Sequence, residues 1–104
     1  MRTALITGAS RGIGNAVALE FKDKGYSVIG TATSKDSAEN LNKIGIEGYV
    51  LDLSSKDSIE EFWSSLEESG KDISVLVNNA GITRDNIVLR MSDEEWEDIM
   101  SVHL

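Results

Sequence analysis

The sequence predicts an α/β domain built on a parallel sheet, and three observations predict it. Four strand-length apolar runs rich in branched residues recur along the chain. Amphipathic stretches of helical period separate them. A glycine-rich loop follows the first run directly and opens the first helical stretch. With 104 residues the chain is one small domain, residues 1–104.

The elements can be justified in order. Ala4-Leu5-Ile6 is the first strand, ending at the glycine loop. Ile13, Val17 and Phe21, with Ala16 beside them, fall on one helical face at a spacing of four. Lys22 and Lys24 followed by Gly25 form a helix stop with cations in the last turn. Tyr26–Gly30 is the second strand, and a short helix spans the region Lys35–Lys43. Gly48–Leu51 is the third strand. Ser54 is the expected N-cap of a helix whose apolar face is Ile59, Phe62, Trp63 and Leu66. Ile73–Val77 is the fourth strand. Ser92-Asp93-Glu94-Glu95 is a capping box for a last helix carrying Trp96, Ile99, Met100 and His103 on one face.

Connections of this length between parallel strands are right-handed crossovers. The pattern fits a doubly wound sheet with strand order 3-2-1-4, truncated after the fourth βα unit. The last helical pattern runs to Leu104 without a capping glycine or polar tail, so the chain reads as cut. The fourth strand, interior in such a sheet, is then expected to have a bare apolar edge. Strand order 3-2-1-4 sets the ends of strands one and four side by side, where ligands of such sheets bind.

Composition excludes several classes. Apolar residues make up 40% and charged residues 27%, a globular balance. No apolar run is long enough for a membrane span, and the N-terminus lacks a signal-peptide core. There is no cysteine and one histidine, so no disulfide and no thiolate or histidine-rich metal site is expected. Ten basic and 18 acidic residues give a net charge of −8, which argues against a nucleic-acid or anionic-membrane partner. The charge is uneven. Residues 1–46 carry six basic and four acidic groups, and the remainder four basic and fourteen acidic ones. An anionic ligand would bind the first half, or the second half simply has solvated helix faces.

Two loops carry the chemistry. The first is Thr7-Gly8-Ala9-Ser10-Arg11-Gly12-Ile13-Gly14. Glycine lets the backbone turn sharply and lets a phosphate approach without a Cβ in the way. The helix opening near Arg11 points unpaired N–H groups and its positive end at that phosphate. Gly14 allows close packing of the helix. The spacing is Gly-x-x-x-Gly-x-Gly, and in a strand–loop–helix context it reads as a nucleotide site. The second loop is Asn78-Asn79-Ala80-Gly81. Its two amides can tie neighbouring strands, and Ala80 and Gly81 keep a crevice open for a flat ring. Standing alone it would be a plain polar turn.

Together these motifs resemble the short-chain dehydrogenase/reductase family, whose fold is of the Rossmann type. Asn78 through Met91, with Asp93-Glu94-Glu95-Trp96 and Gly30-Thr31-Ala32-Thr33-Ser34, is similar more narrowly to the 3-oxoacyl-[acyl-carrier-protein] reductases of fatty acid synthesis. The resemblance covers the whole chain but only the N-terminal part of the family's longer sequence. It implies a cytoplasmic NADPH-dependent oxidoreductase that reduces a β-ketoacyl thioester on an acyl carrier protein, tetrameric in the parent enzyme. Another family member with a different ketone or alcohol substrate stays open, as does a non-catalytic nucleotide-binding module.

Cofactor choice follows from charge. NAD is usually held by an acid about 20 residues past the glycine loop. Here the end of the second strand reads Thr31-Ala32-Thr33-Ser34, without a carboxylate. Arg11 can fork onto a 2′-phosphate and Thr33 supplies a hydroxyl, so NADP(H) is the expected cofactor. The expected cofactor residues are Gly8, Ser10, Arg11, Gly12, Ile13, Gly14, Thr33, Asp52, Leu53, Asn78, Ala80 and Gly81. The resemblance gives Asp52 the adenine amino group, Leu53 the ring, and Asn78 the ribose and nicotinamide side. Trp63 and Trp96 read as core.

No residue of this chain is assigned to catalysis. The resembled family uses a serine, a tyrosine and a lysine, all beyond Leu104. Tyr26 and Tyr49 lie in strand patterns and match none of them. His103 stands where the family has an asparagine that holds a water. It reads as a water ligand or as a core-facing residue of the last helix.

Overall fold

β1 (Thr3–Ile6) is fully buried and runs through the middle of the sheet. It pairs in parallel with β2 (Ser27–Ala32) on one side and β4 (Ile73–Asn78) on the other. β3 (Glu47–Val50) pairs in parallel with β2. The computed structural model describes residues 2–79 and the backbone of a further strand, β5 (Ile87–Arg90). The sheet order is β3-β2-β1-β4-β5. The four parallel strands thus take the predicted order 3-2-1-4 in an α/β layer fold.

β5 corrects one expectation. The outer edge of β4 is not bare: β5 pairs with it in antiparallel register, Val77 opposite Val88 and Asn78 opposite Ile87. The physical reason is local. Ile87-Val88-Leu89 is a branched apolar run, and an antiparallel partner needs no crossover. Pairing also covers an edge that would otherwise template aggregation. The predicted helix from Ser92, with Trp96, Ile99, Met100 and His103, lies outside the described residues, as do Ala80 and Gly81.

Helices cover both faces. α1 (Gly12–Asp23) and α2 (Lys35–Lys43) lie on one side, α3 (Lys56–Ser69) on the other. Strand alternation sorts the core accordingly. Ala4, Ile6, Val28, Val75 and Val77 face α1 and α2 with Ala18 and Leu41. Leu5, Ile29, Ile73 and Leu76 face α3 with Ile59, Phe62 and Leu66. The α3 face is the one predicted, with Trp63 half-buried beside it.

The face of α1 is rotated from the expected one. Its inward residues are Gly14, Val17, Ala18 and Phe21, spaced i, i+3, i+4, i+7, while Ala16 is exposed and Ile13 is 65% exposed. Two small residues hold the inward stripe, so α1 lies close to the sheet and apolarity alone misjudges the phase. The N-cap of α3 is Ser55, whose hydroxyl accepts the Ser58 N–H, and not Ser54. Ser54 instead bonds the Asp52 carboxylate. α2, with the least apolar pattern, forms over Lys35–Lys43 because Ser34 caps it and Ala38 and Leu41 bury its inner side.

Phe62 is 2% exposed and packs edge-on against Tyr49, with ring centroids 5.8 Å apart. Phe62→Ala is expected to destabilise the fold by about 3–5 kcal/mol, measured by urea denaturation.

Candidate functional site

The parallel sheet brings the carboxyl ends of β1, β2, β3 and β4 to one edge, and every described candidate residue leaves from that edge. The chain after Ile6 is held on both flanks. The Thr7 N–H donates to the Val77 carbonyl at 3.0 Å, and the Thr7 hydroxyl donates to Asn78 Oδ1 at 3.1 Å. The same hydroxyl oxygen accepts the Asn79 N–H at 3.0 Å. On the β2 side the Ala9 N–H donates to the Thr31 carbonyl at 2.8 Å. Asn79 Nδ2 donates to the Gly8 carbonyl and Asn15 Nδ2 to the Ala9 carbonyl, each at 3.1 Å.

Two glycines of the loop serve different ends. Gly12 has φ +63° with open space where a Cβ would be, so its role is conformational. A Cβ on Gly14 would run into the Gly8 carbonyl and the Asn79 amide, so its role is close approach. The expected tight packing at Gly14 is therefore against the loop itself and the end of β4.

Past Ala9 the backbone changes character. Ser10, Arg11, Gly12 and Ile13 are exposed, and none of their N–H groups has an acceptor among the described residues. They sit at the N-terminal end of α1, whose N-cap is Arg11, with no side-chain cap and no acid in the first turn. Unpaired donors and a positive helix end favour an anion there. Arg11 has no ion-pair partner among the described residues.

Ser10, Arg11 and Thr33 come together in one cleft of about 360 Å³ between α1 and α2, with Asn15, Ser37, Asn40, Leu41 and Ile44. No lining residue is acidic. The chemistry of this donor set fits a phosphorylated nucleotide: backbone N–H groups, hydroxyls, amides and a guanidinium. Asp52, Leu53 and Asn78 do not line this cleft. They follow β3 and end β4 along the same sheet edge. Sequence reasoning missed Asn15, Ser37, Asn40 and Thr31. Asn15 and Ser37 could have been found from helical position, since they fall in the first turns of α1 and α2.

The Asp52 carboxylate is oriented by its neighbours. Its Oδ1 accepts the Ser54 hydroxyl at 2.6 Å and the Ser54 N–H at 2.9 Å, and the Asp52 N–H donates to Ser58 Oγ at 2.9 Å. The Ser54 hydroxyl bond, then the Ser54 N–H, holds the Asp52 carboxyl below its ordinary value. Tyr49 is pushed up by burial, with Glu47 adding to it by hydrogen bond and charge. Its hydroxyl donates to Glu47 Oε1 at 3.0 Å, and Glu47 pairs with Lys71. Tyr26 packs edge-on against Phe21. Both tyrosines are structural. Among the described residues there is no cluster of three potential metal ligands, and no helix is long and apolar enough to cross a membrane.

An open α/β sheet with a glycine loop at its switch point and a basic, acid-free cleft beside it is the build of a dinucleotide-binding domain. The chain belongs to the short-chain dehydrogenase family: the family profile named short chain dehydrogenase matches residues 2–104. Among curated proteins, it is 50% identical over 106 residues to 3-oxoacyl-[acyl-carrier-protein] reductase FabG of Haemophilus influenzae. It is 46% identical over 109 residues to the FabG of Pseudomonas aeruginosa and 44% over 106 residues to that of Escherichia coli. Each alignment covers 99% of this chain, which spans 43–44% of the length of these relatives.

The Asp52 carboxyl is depressed, so its bonds to Ser54 are complete above the ordinary carboxylate range and are lost as pH falls through its folded-state value. In Ser54→Ala the Asp52 carboxyl is expected to titrate at higher pH, read by carboxyl-carbon NMR. An unchanged titration would show that the Ser54 hydroxyl does not hold it.

Proposed function

We propose that this chain is the NADP(H)-binding part of a 3-oxoacyl-[acyl-carrier-protein] reductase. The observation that carries the reading is the cleft at the first loop, where free N–H groups and Arg11 meet Thr33 and no carboxylate is present. The names of the relatives support the substrate class, a β-ketoacyl thioester on an acyl carrier protein reduced to the β-hydroxyacyl form. NADPH, when bound, supplies the hydride for this reduction.

The residues divide the work. Gly8, Gly12 and Gly14 shape the loop so that the backbone N–H groups of Ser10 to Ile13 reach the diphosphate. Arg11 and Thr33, with Ser10, hold the 2′-phosphate. An acid at the end of β2 would repel that phosphate, and the position is held by hydroxyls. Asp52 accepts from the adenine amino group with Leu53 against the ring. Asn78, Ala80 and Gly81 line the nicotinamide side. No residue of this chain matches the family's serine, tyrosine and lysine, so proton delivery to the carbonyl is assigned outside these 104 residues. The parent enzyme is read as a cytoplasmic homotetramer.

Titration of NADPH and NADH into the chain, followed by cofactor fluorescence, should show tighter binding of NADPH. Arg11→Ala should cost NADPH about tenfold or more, the scale of a lost charge-assisted bond, and leave NADH nearly unchanged. Equal affinity for the two cofactors would contradict the roles of Arg11 and Thr33. With acetoacetyl thioesters and NADPH the 104-residue chain should give no turnover, and measurable turnover would refute the placement of catalysis elsewhere.

A further inference from the structure

We propose that Thr31 is a positioning residue that sets the conformation of the glycine loop, and through it the affinity for either dinucleotide. The proposal rests on the dinucleotide reading of the loop and adds to it a residue that no cofactor contact would reveal.

Thr31 is 1% exposed and sits near the carboxyl end of β2. It takes two consecutive loop donors. Its side-chain Oγ1 accepts the Gly8 N–H at 3.1 Å, and its carbonyl accepts the Ala9 N–H at 2.8 Å. Gly8 has φ +63°, the left-handed turn that redirects the chain from β1 into the loop. Its peptide groups are therefore fixed from two strands, the N–H by Thr31 and the carbonyl by Asn79 Nδ2 from the end of β4. With Gly8 and Ala9 committed to Thr31, the free donors begin at Ser10 and lie at the start of α1.

The backbone carbonyl of residue 31 would serve any side chain. The Gly8 N–H needs the hydroxyl. Valine has nearly the shape of threonine and would leave that N–H without its acceptor, at a half-buried position. The loop would then turn Gly8 toward another acceptor and carry Ser10 to Ile13 out of line. Thr31 does not line the cleft that holds Arg11 and Thr33. It acts on the part of the site common to both cofactors, so its loss weakens them equally.

The test compares Thr31→Val and Thr31→Ser with the unaltered chain. Amide hydrogen exchange at Gly8 is read by NMR, and binding of NADPH and NADH by cofactor fluorescence. In Thr31→Val the Gly8 amide should exchange about tenfold faster, and both cofactors should bind about tenfold more weakly, by a common factor. Thr31→Ser, which keeps the hydroxyl, should restore Gly8 protection and both affinities. Unchanged Gly8 exchange in the valine variant would overturn the proposal. So would a serine variant as weak as the valine one, or a loss confined to NADPH. If the unaltered chain binds neither dinucleotide, the cofactor reading fails, while Gly8 exchange in the two variants still decides whether Thr31 holds the loop. Should the valine variant not fold, loss of Gly8 protection in the serine variant would refute the role by itself.

Discussion

Parallel pairing of β1 on both edges is the constraint on which the rest depends. β1 is four residues long and wholly buried, so its backbone groups are taken by β2 and β4. The chain that emerges past Ile6 meets the ends of those same two strands. Thr31 from one side, and Val77, Asn78 and Asn79 from the other, supply the partners of Thr7, Gly8 and Ala9. The glycine loop is thus an extension of the sheet's hydrogen bonding. Its donors become free only where that bonding runs out, at the mouth of α1.

Electrostatics follows from the same arrangement. The chain carries a net −8, yet the cleft between α1 and α2 has no acidic lining. Acid is concentrated from residue 47 onward, and seven of those acids lie between Glu47 and Ser69. The helix ends add local sign: α1 presents Arg11 at its start and Lys22 in its last turn, whereas α2 and α3 each carry an aspartate in the first turn. Among the described helices, α1 is the one whose first turn has no carboxylate to compete with an anion. Local charge is therefore set by where the acids are placed, and an overall acidic protein can keep an acid-free edge.

Much of this was legible in the sequence. The four parallel strands and their order follow from branched runs separated by helical stretches, and the glycine loop sits where a strand–loop–helix pattern puts it. Ser10, Arg11 and Thr33, all expected at a cofactor site, line one cleft. What escaped has physical causes. The face of α1 was misphased because glycine and alanine, weakly apolar by side chain, are its buried residues. Ser54 and Ser55 both look like caps, and only the backbone decides which hydroxyl reaches the helix and which reaches Asp52. β5 escaped because the other strands stood out by their alternation with amphipathic helical stretches, whereas Ile87 follows Asn78 after only nine positions. Thr31 was invisible because its hydroxyl bonds a residue 23 positions away.

The bond between Asn79 and Gly8 spans 71 positions, and the β1–β4 register a similar distance. Contacts so far apart in the chain carry a larger loop-closure cost than the nearer pairs β1–β2 and β2–β3, and forming those pairs shortens the loop that remains to be closed. During synthesis the first seventy residues can assemble three strands and three helices while the turn after β1 still lacks one of its two supports. The fixed shape of the loop then arrives with β4 rather than with the glycines themselves. A nascent chain has the whole motif in its sequence long before it has the shape.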